Sequence, residues 1–104
     1  MPSSELSVVF CYVYALASSK RGGYYVGFTR DLKERLAEHN KGLNFSTKFY
    51  KPWQLIYYEA HTSEVDARRR EKYLKTTAGG QALNRMLRDK LSGMKNLSRQ
   101  KVYY

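Results

Sequence analysis

The chain predicts an α+β fold, and three observations predict it. Two tyrosine-rich apolar runs flank a Gly-Gly turn, a third apolar run follows Pro52, and capped, helix-patterned segments follow the second and third runs. A length of 104 residues predicts one domain, 1–104, with one modest core. Residues 1–7 read as a polar lead-in and 92–104 as a basic, loosely held tail.

From Val8 to Leu16 nearly every residue is apolar or aromatic, which predicts a strand buried on both faces. Ser18 to Gly23 reads as a turn whose glycines supply positive φ, and Tyr24 to Phe28 as the returning strand of a hairpin. Thr29 is the expected N-cap of a helix that reaches about Asn40, with Asp31 in its first turn and Gly42 just beyond its end. Residues 43–50 lack a period and read as an exposed loop. Trp53 to Ala60 reads as a central strand, with Trp53, Leu55 and Tyr57 on one face and Ile56, Tyr58 and Ala60 on the other. Thr62 or Ser63 caps the next helix, expected to run to about Thr77 and to break at Gly79-Gly80. Gln81 to Leu91 is the last helix, with Leu83, Met86, Leu87 and Leu91 on its core side.

The apolar fraction of 42% is that of a globular chain and excludes disorder. Nineteen Lys and Arg against nine Asp and Glu give +10, a balance that favours a polyanionic partner through counterion release. Ten tyrosines offer rings for stacking on unpaired bases. No apolar run approaches a bilayer-spanning length, so no membrane partner is expected. A single cysteine, Cys11, excludes an internal disulfide and a cysteine-based zinc site, and predicts a reducing, cytoplasmic compartment.

Three polar residues break the apolar faces of the helices. Arg35 and His39 fall beside Leu32 and Leu36, and Glu71 falls within a stripe of Ala67, Leu74 and Ala78. Burying such groups costs free energy unless they are paired. Two readings stay open: a buried Arg35–Glu71 ion pair with an interior His39, or a site facing the tyrosine-bearing sheet. Tyr14 shares strand parity with Tyr12, while Tyr12, Tyr24, Tyr57 and Tyr58 read as core aromatics. Gly27 permits either tight strand-to-helix packing or close backbone approach to a ligand. Lys33, Lys48 and Lys75 belong to a basic, phosphate-facing surface that also holds Arg68, Arg69 and Arg70.

These residues resemble the GIY-YIG endonuclease superfamily, in particular its stand-alone single-domain members. Tyr12-Val13-Tyr14 takes the place of the first triplet and Tyr25-Val26-Gly27 that of the second; the arginine, histidine and glutamate of the family match Arg35, His39 and Glu71. The similarity spans about residues 8–84. It departs at Tyr12, where glycine is usual, and at Phe28, where some relatives carry lysine. Asn84 lies near the place of a family asparagine and is a candidate nucleic-acid contact with Gly27, Lys33, Lys48 and Lys75.

The resemblance implies a small, mostly antiparallel three-stranded sheet flanked by helices. It implies hydrolysis of phosphodiester bonds in DNA with one divalent metal, Mg²⁺ or Mn²⁺, in repair, recombination or other nucleic-acid processing. Glu71 would hold the metal, Arg35 the phosphoryl oxygens, and Tyr25 would act as general base. Tyr14 and His39 would position water and Tyr25, with His39 as a second candidate base. The substrate would be single-stranded, duplex or branched DNA, or RNA, for a monomer or weak dimer. The alternative function is a nucleic-acid-binding module with little or no catalysis.

Overall fold

The computed structural model describes residues 9–20, 22–94 and the backbone of Val102–Tyr103. Its elements are β1 (Cys11–Ser18), β2 (Tyr24–Thr29), α1 (Leu32–Lys41), a 3₁₀ turn (Lys48–Tyr50), β3 (Trp53–His61), α2 (Glu64–Leu74), α3 (Thr77–Met86), α4 (Arg88–Ser92) and β4 (Val102–Tyr103). The expected α+β architecture holds: β1, β2 and β3 form an antiparallel sheet with helices on both faces. The two-residue β4 runs parallel to β2 at the far edge, giving the order β3-β1-β2-β4. Of the tail expected to be loosely held, Ser92 ends α4, Met94 packs against the core, and beyond Met94 only the β4 backbone is described. Lead-in residues 1–7 and Val8, the expected start of the first strand, lie outside the described residues.

The sheet is organised by β1, which is paired on both edges by β2 and β3 and covered on both faces by core layers. Val13, Ala15 and Ala17 pack with Tyr24, Val26, Ala67, Leu74, Leu83 and Leu91 beneath α2, α3 and α4. Tyr14, Leu16 and Trp53 pack on the opposite face with Tyr25, Leu32, Leu36, Tyr50 and Leu55. Each fully buried Val or Leu side chain in these layers contributes about 1.5–3 kcal/mol. The buried part of the first run starts later than its composition predicts. Val9 and Phe10 are exposed, whereas Cys11 is buried, as expected of a small hydrophobe.

Four boundaries and faces depart from the sequence reading, each for a local reason. Asp31, not Thr29, caps α1: its carboxylate accepts from Glu34 N–H at 3.0 Å, while Thr29 stays in β2 opposite Tyr12. β3 is an edge strand rather than a central one, and its register against β1 shifts between Ala15 and Leu16. The shift places Leu55 opposite Leu16 and Tyr57 opposite Ala15, so Tyr57 joins the face of Ala15 instead of sharing that of Trp53 and Leu55. Tyr58 is exposed and meets Tyr12 edge-on at 6.0 Å.

The third departure concerns the glycine pair. Gly79-Gly80 does not break a helix; both residues are buried inside α3, which Thr76 caps. α2 has already ended at Leu74, so Ala78 belongs to α3 and is exposed. A Cβ on Gly79 would lie 1.9 Å from the Tyr73 carbonyl oxygen, so glycine here permits close packing of α3 on the end of α2. The last departure is Met86, which is exposed, while Leu83 and Leu91 are buried and Leu87 packs beside them. Two expectations hold at turns: Gly23 has φ 97° after β1, and Gly42 closes α1 with φ 78°.

Candidate active site

β1 and β2 present Tyr14 and Tyr25 on the same sheet face, because Tyr14 pairs with Gly27 and Leu16 with Tyr25. α1 crosses that face and supplies Arg35 and His39; α2, from the opposite layer, supplies Glu71. Tyr14, Tyr25, Arg35 and Glu71 line one open pocket of about 270 Å³, together with Phe28, Thr29, Arg30 and Arg68. The four elements thus converge on one polar cleft.

Beneath the pocket, His39 is fully buried between the rings of Tyr25 and Tyr14, at 5.2 and 5.9 Å. Its Nε2 lies 2.8 Å from the Tyr14 hydroxyl and its Nδ1 lies 2.7 Å from Thr47 Oγ1. The expected exposed loop therefore contains a buried anchor. Thr47 also accepts a 2.9 Å hydrogen bond from Trp53 Nε1–H at its carbonyl. In the neutral imidazole, one ring nitrogen donates and the other accepts, which fixes Tyr14 in orientation. His39 reaches the pocket through Tyr14 and is not itself among its lining residues.

Burial, with the Arg35 charge added, pulls the His39 pKa down to about 4. Burial also pushes the Tyr14 phenol up, with Tyr25 and Glu71 adding to the shift and Arg35 opposing it. Tyr14 is thus a neutral hydroxyl and His39 a neutral ring at neutral pH. An unfolded chain protonates an ordinary histidine near 6.5, so between about pH 6.5 and 4 the unfolded state binds more protons. Stability falls as pH drops through that window, by on the order of 3 kcal/mol from this group. Urea unfolding of the wild type and His39→Gln, compared from pH 7.5 to 4, is expected to show a shallower decline in the variant. Parallel curves would remove His39 as the cause, since the carboxylates titrate alike in both proteins.

Arg35 and Glu71 do not pair. Arg35 forms an ion pair with Glu38 one turn along α1, Nε to Oε1 at 3.2 Å, and Lys75 Nζ bonds Glu71 Oε2 at 3.0 Å one turn along α2. The Lys75 ammonium also sits 5.5 Å from the centre of the Tyr25 ring. Of the expected nucleic-acid contacts, Lys75 therefore borders the pocket. Lys33 is exposed on α1 and Lys48 lies on the loop, outside the pocket lining. Asn84 accepts from the Tyr24 hydroxyl at 2.8 Å, a bond that ties α3 to β2. At Gly27 the Tyr14 ring fills the space above the backbone: a Cβ there would lie 2.4 Å from the hydroxyl oxygen.

Arg30 and Arg68 are pocket residues that the sequence reading did not single out for the site. Both guanidinium groups lie against the Phe28 ring, Arg68 at 4.0 Å and Arg30 at 5.7 Å, and both bond Glu64. Phe28 is therefore flanked by two cations. The available signal was the position of Arg68 three residues before Glu71, on the same side of α2. Tyr12, the other departure, is not among the pocket residues.

A family model described as the GIY-YIG catalytic domain matches residues 10–84, well over half of the chain. The chain belongs to the GIY-YIG family. Relatives of this GIY-YIG chain include a UPF0213 protein of Staphylococcus haemolyticus, 37% identical over 69% of this chain and 88% of its own length. Another, from Staphylococcus saprophyticus, is 35% identical over 62% of this chain and 79% of its own. A third, from Streptococcus pneumoniae serotype 4, is 38% identical over 62% and 65%, respectively. No solved structure matches the GIY-YIG chain significantly. Membership in this family makes the chain part of a nuclease family. No helix among the described residues is long and apolar enough to cross a membrane.

Proposed function

We propose that this protein is a divalent-metal-dependent endonuclease that hydrolyses phosphodiester bonds in DNA. The convergence of Tyr14, Tyr25, Arg35 and Glu71 on one polar pocket carries the reading. The donor set fits a hard cation that keeps most of its waters. Glu71 offers one carboxylate at the pocket, and no cluster of three acidic, histidine or cysteine side chains lies among the described residues. Glu71 is the residue that would hold Mg²⁺ or Mn²⁺, which when bound supplies Lewis-acid stabilisation of the phosphate and leaving oxygens.

The chain's own groups do the rest. Arg35 pairs with Glu38 through charge, and its guanidinium makes no hydrogen bond among the described residues, so its NH₂ groups are open to phosphoryl oxygens as charge develops there. Arg30 and Arg68 add positive charge to the pocket lining. Tyr25 borders the pocket and its hydroxyl has no hydrogen bond among the described residues, so it is the group open to the attacking water and the candidate base. Tyr14, held by His39, orients that water as a neutral hydroxyl.

The protein acts on this reading as a monomer or weak dimer inside the cell, in repair, recombination or other nucleic-acid processing. Incubation with labelled single-stranded, duplex, nicked and branched DNA, and with RNA, tests the activity in Mg²⁺, Mn²⁺ and EDTA. Cleavage that requires metal is expected on at least one DNA. Binding with no cleavage of any substrate would replace the enzyme by a nucleic-acid-binding module.

A further inference from the structure

The loop between α1 and β3 has a feature that the pocket does not use. Leu43, Phe45 and Phe49 are 71%, 78% and 65% exposed. Lys48 projects between the two phenyl rings, its Nζ 4.9 Å from the centre of Phe45 and 5.0 Å from that of Phe49. Exposed apolar side chains on a loop free to rearrange would fold inward. This loop is pinned. Thr47 is fully buried on His39 and Trp53, Lys48 N–H bonds the Asn44 carbonyl at 2.9 Å, and half-buried Tyr50 packs against the cluster of Tyr14, Leu16 and Trp53. The rings are therefore displayed by a fixed frame.

The charge around the rings selects the partner. Residues 39–58 contain no Asp or Glu. Lys41, Lys48 and Lys51 form no ion pair among the described residues. A neutral peptide or apolar protein face would leave those ammonium groups without counter-charges, and an acidic peptide would supply charge but no planar base faces for the phenyl rings. A duplex would present phosphates but no open base faces. Unpaired nucleotides present both, with base faces for the phenyl rings and phosphates for the lysines.

We propose that the loop from Leu43 to Lys51 is a stacking platform for unpaired nucleotides. The proposal rests on the nucleic-acid reading above and deepens it: the substrate carries a single-stranded stretch. The platform lies outside the pocket lining but is joined to it by contacts, since Thr47 holds His39 and His39 holds Tyr14. A strand seated on Phe45 and Phe49 bears on the frame that orients the pocket hydroxyl.

The test is binding in EDTA, where cleavage does not interfere. Single-stranded and blunt duplex oligonucleotides containing 2-aminopurine are titrated with wild type, Phe45→Ala/Phe49→Ala and Phe45→Trp/Phe49→Trp. The wild type is expected to quench 2-aminopurine in single strands by stacking. The alanine pair is expected to lose the quenching and to bind single strands about tenfold or more weakly. It should keep its melting temperature and bind duplex within about twofold of wild type. The tryptophan pair should keep both affinity and quenching. An equal loss on duplex, or no loss, would overturn the platform. So would a change confined to binding of anionic phosphatidylglycerol vesicles, or to self-association in sedimentation. Failure of the enzyme reading is distinguishable, because a protein that binds and quenches but cuts nothing retains the platform and loses only the catalysis.

Discussion

Glu71→Gln is expected to abolish metal-dependent cleavage and to leave the metal-free fold nearly as stable as the wild type. The structural half follows from the partners. A glutamate buried against Arg35 would strand a guanidinium when neutralised, at about 3–5 kcal/mol. Here Arg35 is held by Glu38, and the partner of Glu71 is Lys75, with side-chain exposures of 20% for the acid and 26% for the base. Losing such a half-buried pair costs about 1–2 kcal/mol, below the cost of stranding a buried guanidinium, because glutamine can still accept a hydrogen bond from the ammonium. The catalytic half follows from charge. Glutamine keeps the shape but not the charge that draws a hard cation, and several kcal/mol of transition-state stabilisation correspond to about 10³-fold or more in rate. Two measurements check it: cleavage rate in Mg²⁺, and the rise in melting temperature on adding Mg²⁺, which should vanish in the variant. A variant that cuts at the wild-type rate removes Glu71 from the mechanism. A variant that unfolds instead would show the carboxylate to be a structural partner.

The hairpin and the first helix were legible because their signals are periodic. Continuous burial marks β1, the spacing of Leu32, Leu36 and His39 marks the inner face of α1, and Gly42 marks its end. What could not be read depends on pairs that no period records. Thr29 and Asp31 are both good caps, and only pairing across the sheet retains Thr29 in β2. The bulge in β3 appears in register alone, and it moves Tyr57 to the other face. Gly79-Gly80 reads as a break because glycine disfavours helix interiors. The reason for glycine is the Tyr73 carbonyl, which lies on another helix. In the site, the order of Tyr14, Tyr25, Arg35 and Glu71 along the chain foreshadowed their convergence. Thr47 did not show itself, since a buried hydroxyl in an aperiodic loop looks like any other threonine. The Lys75–Glu71 pair was present in the sequence as an i,i+4 spacing, yet two cations could claim the same acid and spacing did not choose between them.

Gly27→Ala separates the two readings that the sequence left open at the end of β2. If glycine is there so that a phosphate can approach the backbone, a methyl group should weaken nucleic-acid binding and leave the free protein as stable as before. The geometry points to the opposite result. An added Cβ would lie 2.4 Å from the Tyr14 hydroxyl oxygen and 2.5 Å from the ring carbon that bears it. The Tyr14 ring is rigid and almost fully buried, packed on Tyr25 and His39, so it yields only by moving as a whole. That movement breaks the 2.8 Å contact with His39. Overpacking of this kind costs about 1–3 kcal/mol. The variant is therefore expected to be destabilised by that amount and to lose about 10²-fold or more in cleavage, a loss of the size seen when a positioned hydrogen-bonding group is removed. Tyr14→Phe is the companion variant. It loses the same contact without a clash, so it should match Gly27→Ala in rate while remaining more stable. Unfolding curves and single-turnover rates on the three proteins check the pattern. An alanine variant with wild-type stability would restore the phosphate reading of Gly27 and detach Tyr14 from the reason for that glycine.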